Sequence, residues 1–383
     1  MKPGRLQARM DQVIDRTLAD KRLVGTVVKV AMDGKLVYNR AAGFADRENN
    51  RTMQENALFR LASVSKPIVS TAALVLVSQG RLRLEDPVER WLPAFRPRLQ
   101  NGEPAAMTIR HLMTHTAGLT YRFFQEENGP YQRAGVSDGM DSAGITLEEN
   151  LLRIASIPLL YTPGSQWKYS IATDVLGAVI AKVTDTPLSE AVHTLVTKPL
   201  AMNDTGFTAV DPERLATAYA NDVPEPRPMR DPDNIAFVEG TSGFRLSPGR
   251  ALDNMAYQSG GAGMVGSAGD FLRMLEALRE GGAPLLPESM VREMVTNQIG
   301  DLPMAYWPGR GFGLGFTLLK DPIAANTPES PGTWRMGGTY GHSWFVDPER
   351  KLSVVAFTNT ALEGMSGPFT VDLCEAVYDG IAE

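Results

Sequence analysis

Ser63 and Lys66, in the run Phe59-Arg60-Leu61-Ala62-Ser63-Val64-Ser65-Lys66, place a hydroxyl and an amine three residues apart. A serine hydroxyl is a weak nucleophile and needs a neighbouring base. At positions i and i+3 of a helix the two side chains share a face. A lysine whose pKa is lowered by burial can then take the hydroxyl proton with no histidine involved. The residues that follow support this spacing. Ile68, Val69, Ala72, Ala73, Leu74, Val75, Leu76 and Val77 are apolar on nearly all sides of a helix over Pro67–Gln79, which predicts a buried central helix ending near Gly80. A nucleophile at its start would lie at the positive end of the helix dipole, where free N–H groups can receive an oxyanion. The same spacing recurs at Ser165 and Lys168, but after Pro163-Gly164 and without a buried helix opening on it.

Three other segments carry chemistry-bearing residues. Tyr169 lies in a turn ahead of an apolar helix over Thr173–Val183. It reads either as a buried phenol with a satisfied hydroxyl or as an acid–base partner beside Lys66. Met336-Gly337-Gly338-Thr339-Tyr340-Gly341-His342-Ser343-Trp344-Phe345 puts paired glycines beside a strand. They read as a turn or bulge, or as a place where substrate approaches the backbone, with the Thr339 N–H as an oxyanion donor. His111 and His115 stand four apart with no third ligand at metal-site spacing, which favours buried hydrogen bonds near Gly118 over metal binding. Tyr121, Phe123 and Phe124, with Trp344 and Phe345, are candidates for either a pocket lining or the core.

Composition limits the alternatives. The chain has 383 residues, 38 Lys and Arg against 44 Asp and Glu, and a net charge of −6, against the basic face expected of a nucleic-acid binder. One cysteine, Cys374, allows no intrachain disulfide, and four histidines are few for a metal site. No window reaches the roughly 18 apolar residues of a membrane span. No secretory signal pattern is seen, so a cytoplasmic location is expected.

The elements needed to position the pair follow from periodicity. Helical spacing over residues 5–20 precedes two strand-like runs, Val24–Met32 and Lys35–Tyr38, around the turn pair Asp33-Gly34. Strand patterns return at Gly313–Leu319, Trp334–Met336, Ser343–Asp347 and Leu352–Thr358, followed by a helix over Phe369–Ile381. The middle is helical, at Pro67–Gln79, Thr108–Thr114, Leu147–Ala155, Thr173–Val183 and Leu188–Val196. This pattern predicts an α/β fold of α+β type, with an antiparallel sheet flanked by helices and a mostly helical insertion. The expected division is 1–63 with 221–383 as the α/β part and 64–220 as the helical part, the site lying in the cleft between them. The Pro-rich stretch 221–250 reads as a long surface loop.

Taken together, these motifs resemble the class C β-lactamases and related penicillin-recognising serine hydrolases, most closely the family VIII bacterial carboxylesterases. The resemblance rests on Ser63-Val64-Ser65-Lys66, on Thr114-His115-Thr116-Ala117-Gly118-Leu119, on Tyr169-Ser170-Ile171 and on Met336-Gly337-Gly338 with its Tyr-Gly-His-Ser-Trp-Phe continuation. It covers nearly the whole chain. It implies Ser63 as nucleophile, Lys66 as base, Tyr169 as proton shuttle, and the Ser63 and Thr339 N–H groups as oxyanion hole. Tyr121, Phe124, Met336, Gly337, Gly338, His342 and Trp344 are the implied substrate-pocket residues. Two departures stand out. Met336 occupies the place of the esterases' tryptophan and the lactamases' lysine, and Ile171 that of the lactamases' asparagine. The implied activity is hydrolysis of small, short-chain carboxylic esters through an acyl-enzyme, with no cofactor and no nucleic-acid or membrane partner. The alternatives are a β-lactamase or D-alanyl-D-alanine carboxypeptidase on the same fold, with side activity on β-lactams expected, or an inactive binding or scaffold protein. The competing nucleophile elbow, G-x-S-x-G, fails at two near matches. Around Ser267 the first position is Val265, and around Ser366 the last is Pro368.

Overall fold

The structure is a computed structural model that describes residues 4–382. Leu6, Met10, Val13, Ile14 and Thr17 fall on one buried face and give helix α1 (Arg5–Ala19). Strands β1 (Gly25–Met32) and β2 (Lys35–Asp46) are joined through Asp33 and Gly34, at φ 50° and 77°. Two positive φ values are what a tight hairpin turn of this hand requires. Strand β3 (Arg51–Thr52) pairs with the far end of β2.

The other strands of the sheet come from the C-terminal third: β4 (Arg310–Phe312), β5 (Thr317–Leu319), β6 (Trp334–Gly338), β7 (His342–Asp347) and β8 (Leu352–Thr358). The order is β4-β5-β6-β7-β8-β1-β2-β3, and every neighbouring pair is antiparallel. The two ends of the chain therefore meet at β8–β1, in register from Thr26↔Thr358 to Met32↔Leu352. Helix α6 (Pro368–Ile381) packs with α1 on one face, over a core that includes Val28, Val30, Phe345 and Val354. Helix α5 (Ala268–Arg279) covers the other face, where Phe271 meets Trp344 and Phe357 edge-on or tilted. Ser267, one near miss to an elbow serine, caps α5 by accepting from the Asp270 N–H at 3.3 Å. Ser137, whose run Gly135-Val136-Ser137-Asp138-Gly139 does fit G-x-S-x-G, is a buried loop residue that donates to Asp141 rather than a strand-to-helix elbow.

Helix α2 (Ser65–Ser78) is buried from Ser65 to Leu76 and carries the central packing. Helix α4 (Ala172–Thr184) lies against it, and α3 (Ile109–Thr114) against α4. A helix over Leu147–Ala155 and another over Leu188–Val192, continuing with π-type geometry through Thr197, complete the expected helical middle. Among the described residues no helix is long and apolar enough to cross a membrane.

The structure corrects two expectations. The run 313–319 is not one strand, because Gly313 and Gly315 interrupt it. A Cβ at Gly313 would lie 2.2 Å from the Met294 carbonyl oxygen, and Gly315 has φ +123°. The chain turns there, so β4 and β5 form a hairpin. Residues 221–250 are not simply surface loop. Arg227–Pro228 pairs with Tyr219–Ala220, and Asp233–Ile235 pairs with Phe244–Leu246. The carboxylate of buried Asp233 accepts from both terminal amines of Arg227, at 2.6 and 3.1 Å, and so ties the two ladders together.

Candidate active site

The chain enters α2 through a single 3-10 turn, Ala62–Val64, so the α-helix begins at Ser65, two residues beyond the serine of the serine–lysine pair. Ala62 has φ +47°, a left-handed backbone that a side-chain-bearing residue seldom adopts. This turn presents Ser63 at a cavity wall. The Ser63 Oγ accepts from the Tyr169 hydroxyl at 2.6 Å and from Lys66 Nζ at 3.2 Å. Ser65, the neighbouring serine, is spent on structure: its Oγ accepts from the Met264 N–H at 3.1 Å. Ser165, of the second serine–lysine spacing, is exposed and donates to the Thr162 carbonyl.

Lys66 is fully buried, and burial pulls its pKa down to about 7, opposed by the charges of Asp174 and Asp138. It also donates to the Gly261 carbonyl at 2.9 Å. The Gly261 turn is held in turn by Asp174, whose Oδ1 accepts from the Gly261 N–H and the Ser259 hydroxyl, both at 2.7 Å. A side chain at 261 would crowd this centre, since a Cβ there would lie 2.9 Å from Asp174 Oδ1 and 3.5 Å from Lys66 Nζ. Asp174 is wholly buried and its pKa is raised by that burial. The buried Tyr169 phenol is pushed above its usual range by desolvation, so it stays protonated at neutral pH. Its backbone is fixed by His115, whose Nδ1 accepts from the Ser170 N–H at 3.1 Å and whose ring lies 4.9 Å from that of Tyr169. Burial keeps His115 neutral. His111 has a similar structural task, as its Nδ1 accepts from the Thr108 N–H at the start of α3.

Ser63 opens onto a cavity of about 740 Å³. Of the expected pocket residues, Tyr121, Phe124, Met336, Gly337 and Thr339 line it, as does Tyr169. The Thr339 N–H donates to no acceptor among the described residues. Gly338, His342 and Trp344 do not line it. Gly338 faces protein, because a Cβ there would lie 2.5 Å from the Leu61 carbonyl oxygen and 3.2 Å from Val64. The glycine lets β6 press against the Ser63 turn rather than against substrate. His342 is fully buried against Phe59 and Phe357, with Nε2 2.6 Å from the Arg60 carbonyl, and desolvation lowers its pKa to about 4. Trp344 packs between Phe271 and Phe316. The strand alternation explains both: His342 and Trp344 point one way along β7, and the residue between them, Ser343, reaches the cavity. The remaining wall includes residues not singled out from the sequence: Trp167, Trp307 and Tyr306, with Phe237, Val238 and Phe244 from the 221–250 region. Asp138 shapes this wall by accepting from the Arg122 and Phe123 N–H groups at 2.8 and 3.0 Å.

This geometry has counterparts among known proteins. The β-lactamase family model matches residues 10–372. The chain belongs to the β-lactamase family. Esterase EstB of Burkholderia gladioli is 50% identical over 374 residues, covering 97% of this chain and 95% of its own. The solved structure described as EstCE1, a hydrolase with promiscuous acyltransferase activity, superposes with a TM-score of 0.96 at 44% identity, covering 98% of this chain and 99% of its own. Simvastatin synthase from Aspergillus terreus, at a TM-score of 0.76 and 20% identity over 99% of both chains, shares the fold. The family's antiparallel sheet flanked by helices is the architecture described above.

Proposed function

We propose that this chain is a serine carboxylesterase that acts on small-molecule esters through an acyl-enzyme at Ser63. The observation that carries the reading is the pair of hydrogen bonds on Ser63 Oγ, one from a phenol and one from an amine whose burial favours its neutral form. The opposite shifts of Lys66 and Tyr169 divide the labour between them. At neutral pH the lysine is the group able to accept a proton, and the tyrosine the group that has one to give.

In acylation Ser63 Oγ attacks the ester carbonyl carbon and its proton passes to the Lys66 amine. The carbonyl oxygen becomes an oxyanion held by the Ser63 and Thr339 N–H groups. Collapse breaks the bond to the alcohol oxygen, which takes the Tyr169 proton, and Lys66 returns a proton to Tyr169. Water then repeats the sequence on the acyl-enzyme, releasing the acid and restoring Ser63. Met336 brings no charge to the cavity wall, which favours ester over β-lactam carboxylate recognition. The cleft is taken to lie between two lobes, 1–63 with 221–383 and 64–220.

The test compares p-nitrophenyl acetate, butyrate and octanoate with nitrocefin, and maps the acyl adduct after acid quench. Ester turnover well above nitrocefin turnover, with the acyl group on the peptide containing Ser63, is expected. Nitrocefin as the better substrate would overturn the reading. Gly338→Ala tests the packing behind the nucleophile. Its new methyl group would push the Ser63 turn from β6, and a displacement approaching an ångström costs roughly 10²-fold in kcat. Burst and steady-state kinetics with p-nitrophenyl butyrate should show that fall with KM changed far less.

A further inference from the structure

The cavity wall is charged in one sense only. Lys168, Arg310 and Arg335 line it, and among the described residues no Asp or Glu does, in a chain whose net charge is −6. Lys168 has its amine 4.9 Å from the centre of the Phe124 ring. Arg310 and Arg335 share a single carboxylate. The Glu329 side chain, with no exposed surface, accepts from Arg335 Nε at 2.8 Å and from Arg310 Nη2 at 3.1 Å. One negative charge against two leaves this end of the cavity positive. The Arg310 side chain is nine-tenths buried, and its Nη1 is buried with no partner among the described residues. Arg335 lies over the Phe345 ring at 5.2 Å, a quarter of its side chain exposed, and its terminal amines meet no described acceptor. Ser343 and Ser366 line the same cavity. If these arginines served only to neutralise Glu329, one would suffice, and an unpartnered buried guanidinium nitrogen would be left at a cost.

We propose that this end of the cavity binds a carboxylate of the substrate, so that the preferred ester carries a second, anionic group remote from the scissile bond. The inference rests on the esterase reading and names its substrate class. It differs from a cation at position 336, since Arg335 leaves the strand on the opposite face from Met336. Arginine suits the task because its planar fork meets a carboxylate with two hydrogen bonds. Arg335 stands four strand positions from Thr339, roughly 13 Å at ~3.3 Å per residue. The spacer between ester and carboxylate is therefore long.

The experiment uses mono-p-nitrophenyl suberate and its neutral methyl ester, which differ in the terminal charge and one methyl group. Wild-type kcat/KM should favour the free acid by about tenfold, the scale of one charged hydrogen bond. Added NaCl should raise KM for the acid and not for the methyl ester. In Arg335→Gln the acid-to-ester ratio of kcat/KM should fall about tenfold, as charge-assisted contact is lost. A second arm places the charge on the alcohol at the same reach, comparing acetate release from 6-acetoxyhexanoate and from its methyl ester. Preference for the acid in the first arm alone assigns the carboxylate to the acyl side, and in the second alone to the alcohol side. Equal kcat/KM for acid and neutral partner in both arms of the wild type, at low salt, overturns the proposal even if the variant does not fold. That outcome leaves the esterase reading standing, whereas loss of turnover on every ester would remove that reading instead.

Discussion

Replacing Ser63 by alanine is expected to lower kcat/KM for p-nitrophenyl butyrate by roughly four to six orders of magnitude, with the midpoint of urea unfolding nearly unmoved. The size follows from the position of Oγ, which receives both the phenol and the amine. No neighbouring hydroxyl can stand in for it. Ser65 Oγ is buried and occupied by the Met264 N–H, while Ser165 belongs to an exposed turn. Stability should change by no more than about 1 kcal/mol, the scale of a single modest hydrogen bond. Lys66 keeps the Gly261 carbonyl as partner, and the Ala62 and Gly338 backbone contacts that shape the turn do not involve the Ser63 side chain. Intact-mass spectrometry after mixing with ester should show an acyl adduct on the wild type and none on the variant. Hydrolysis in Ser63→Ala at the wild-type rate would sink the assignment.

What the sequence made legible here was a set of side-chain types at short, fixed spacing. Ser63 and Lys66 lie within one turn of each other, and Tyr169 announces itself by preceding an apolar helix. The surroundings of those groups were not legible, for a physical reason. The partner of Lys66 is the Gly261 carbonyl, and a backbone carbonyl has no sequence signature. Asp174 meets that turn across 87 residues, and nothing local distinguishes it from an ordinary polar residue in the first turn of a helix. The paired glycines were open to two readings, and the fold assigns them separately: Gly337 borders the cavity, whereas Gly338 admits the Leu61 carbonyl. His342 and Trp344 show where a usable signal was passed over. Alternation along β7 already sets them opposite Ser343, and with period 2 all three cannot share one wall. The topology was readable because each terminal run has its own period, and β1 pairing with β8 is what joins them. The hairpin at residues 310–319 was not, because it depends on the Met294 carbonyl reaching Gly313.

Lys66→Met is expected to cost roughly 10³-fold in kcat/KM, the middle of the range for losing a positioned general base. Methionine matches the lysine stem in length and fills the same buried volume, so the loss reports on the amine rather than on a cavity. In the wild type, kcat/KM should rise through an acid limb near pH 7 as the Lys66 ammonium loses its proton. The residual activity of the variant should lack that limb. A stability effect of definite sign accompanies it. Burial lowers the folded-state pKa of Lys66 from 10.5 to about 7. Between those two values the unfolded chain holds a proton that the folded chain does not, so wild-type stability from this group grows as pH rises through the window and is lost as pH falls toward 7. The limiting slope is about 1.4 kcal/mol per pH unit for one proton. Urea unfolding at pH 7, 8 and 9 should therefore show wild type gaining on Lys66→Met with rising pH. Repeating the pair in an Asp174→Asn background removes the neighbouring buried carboxylate from the comparison and leaves the slope to the amine. Near-wild-type turnover in Lys66→Met, or a wild-type profile flat across pH 6–8, would transfer the role of base to Tyr169. The phenol would then have to ionise against the same burial that holds it protonated.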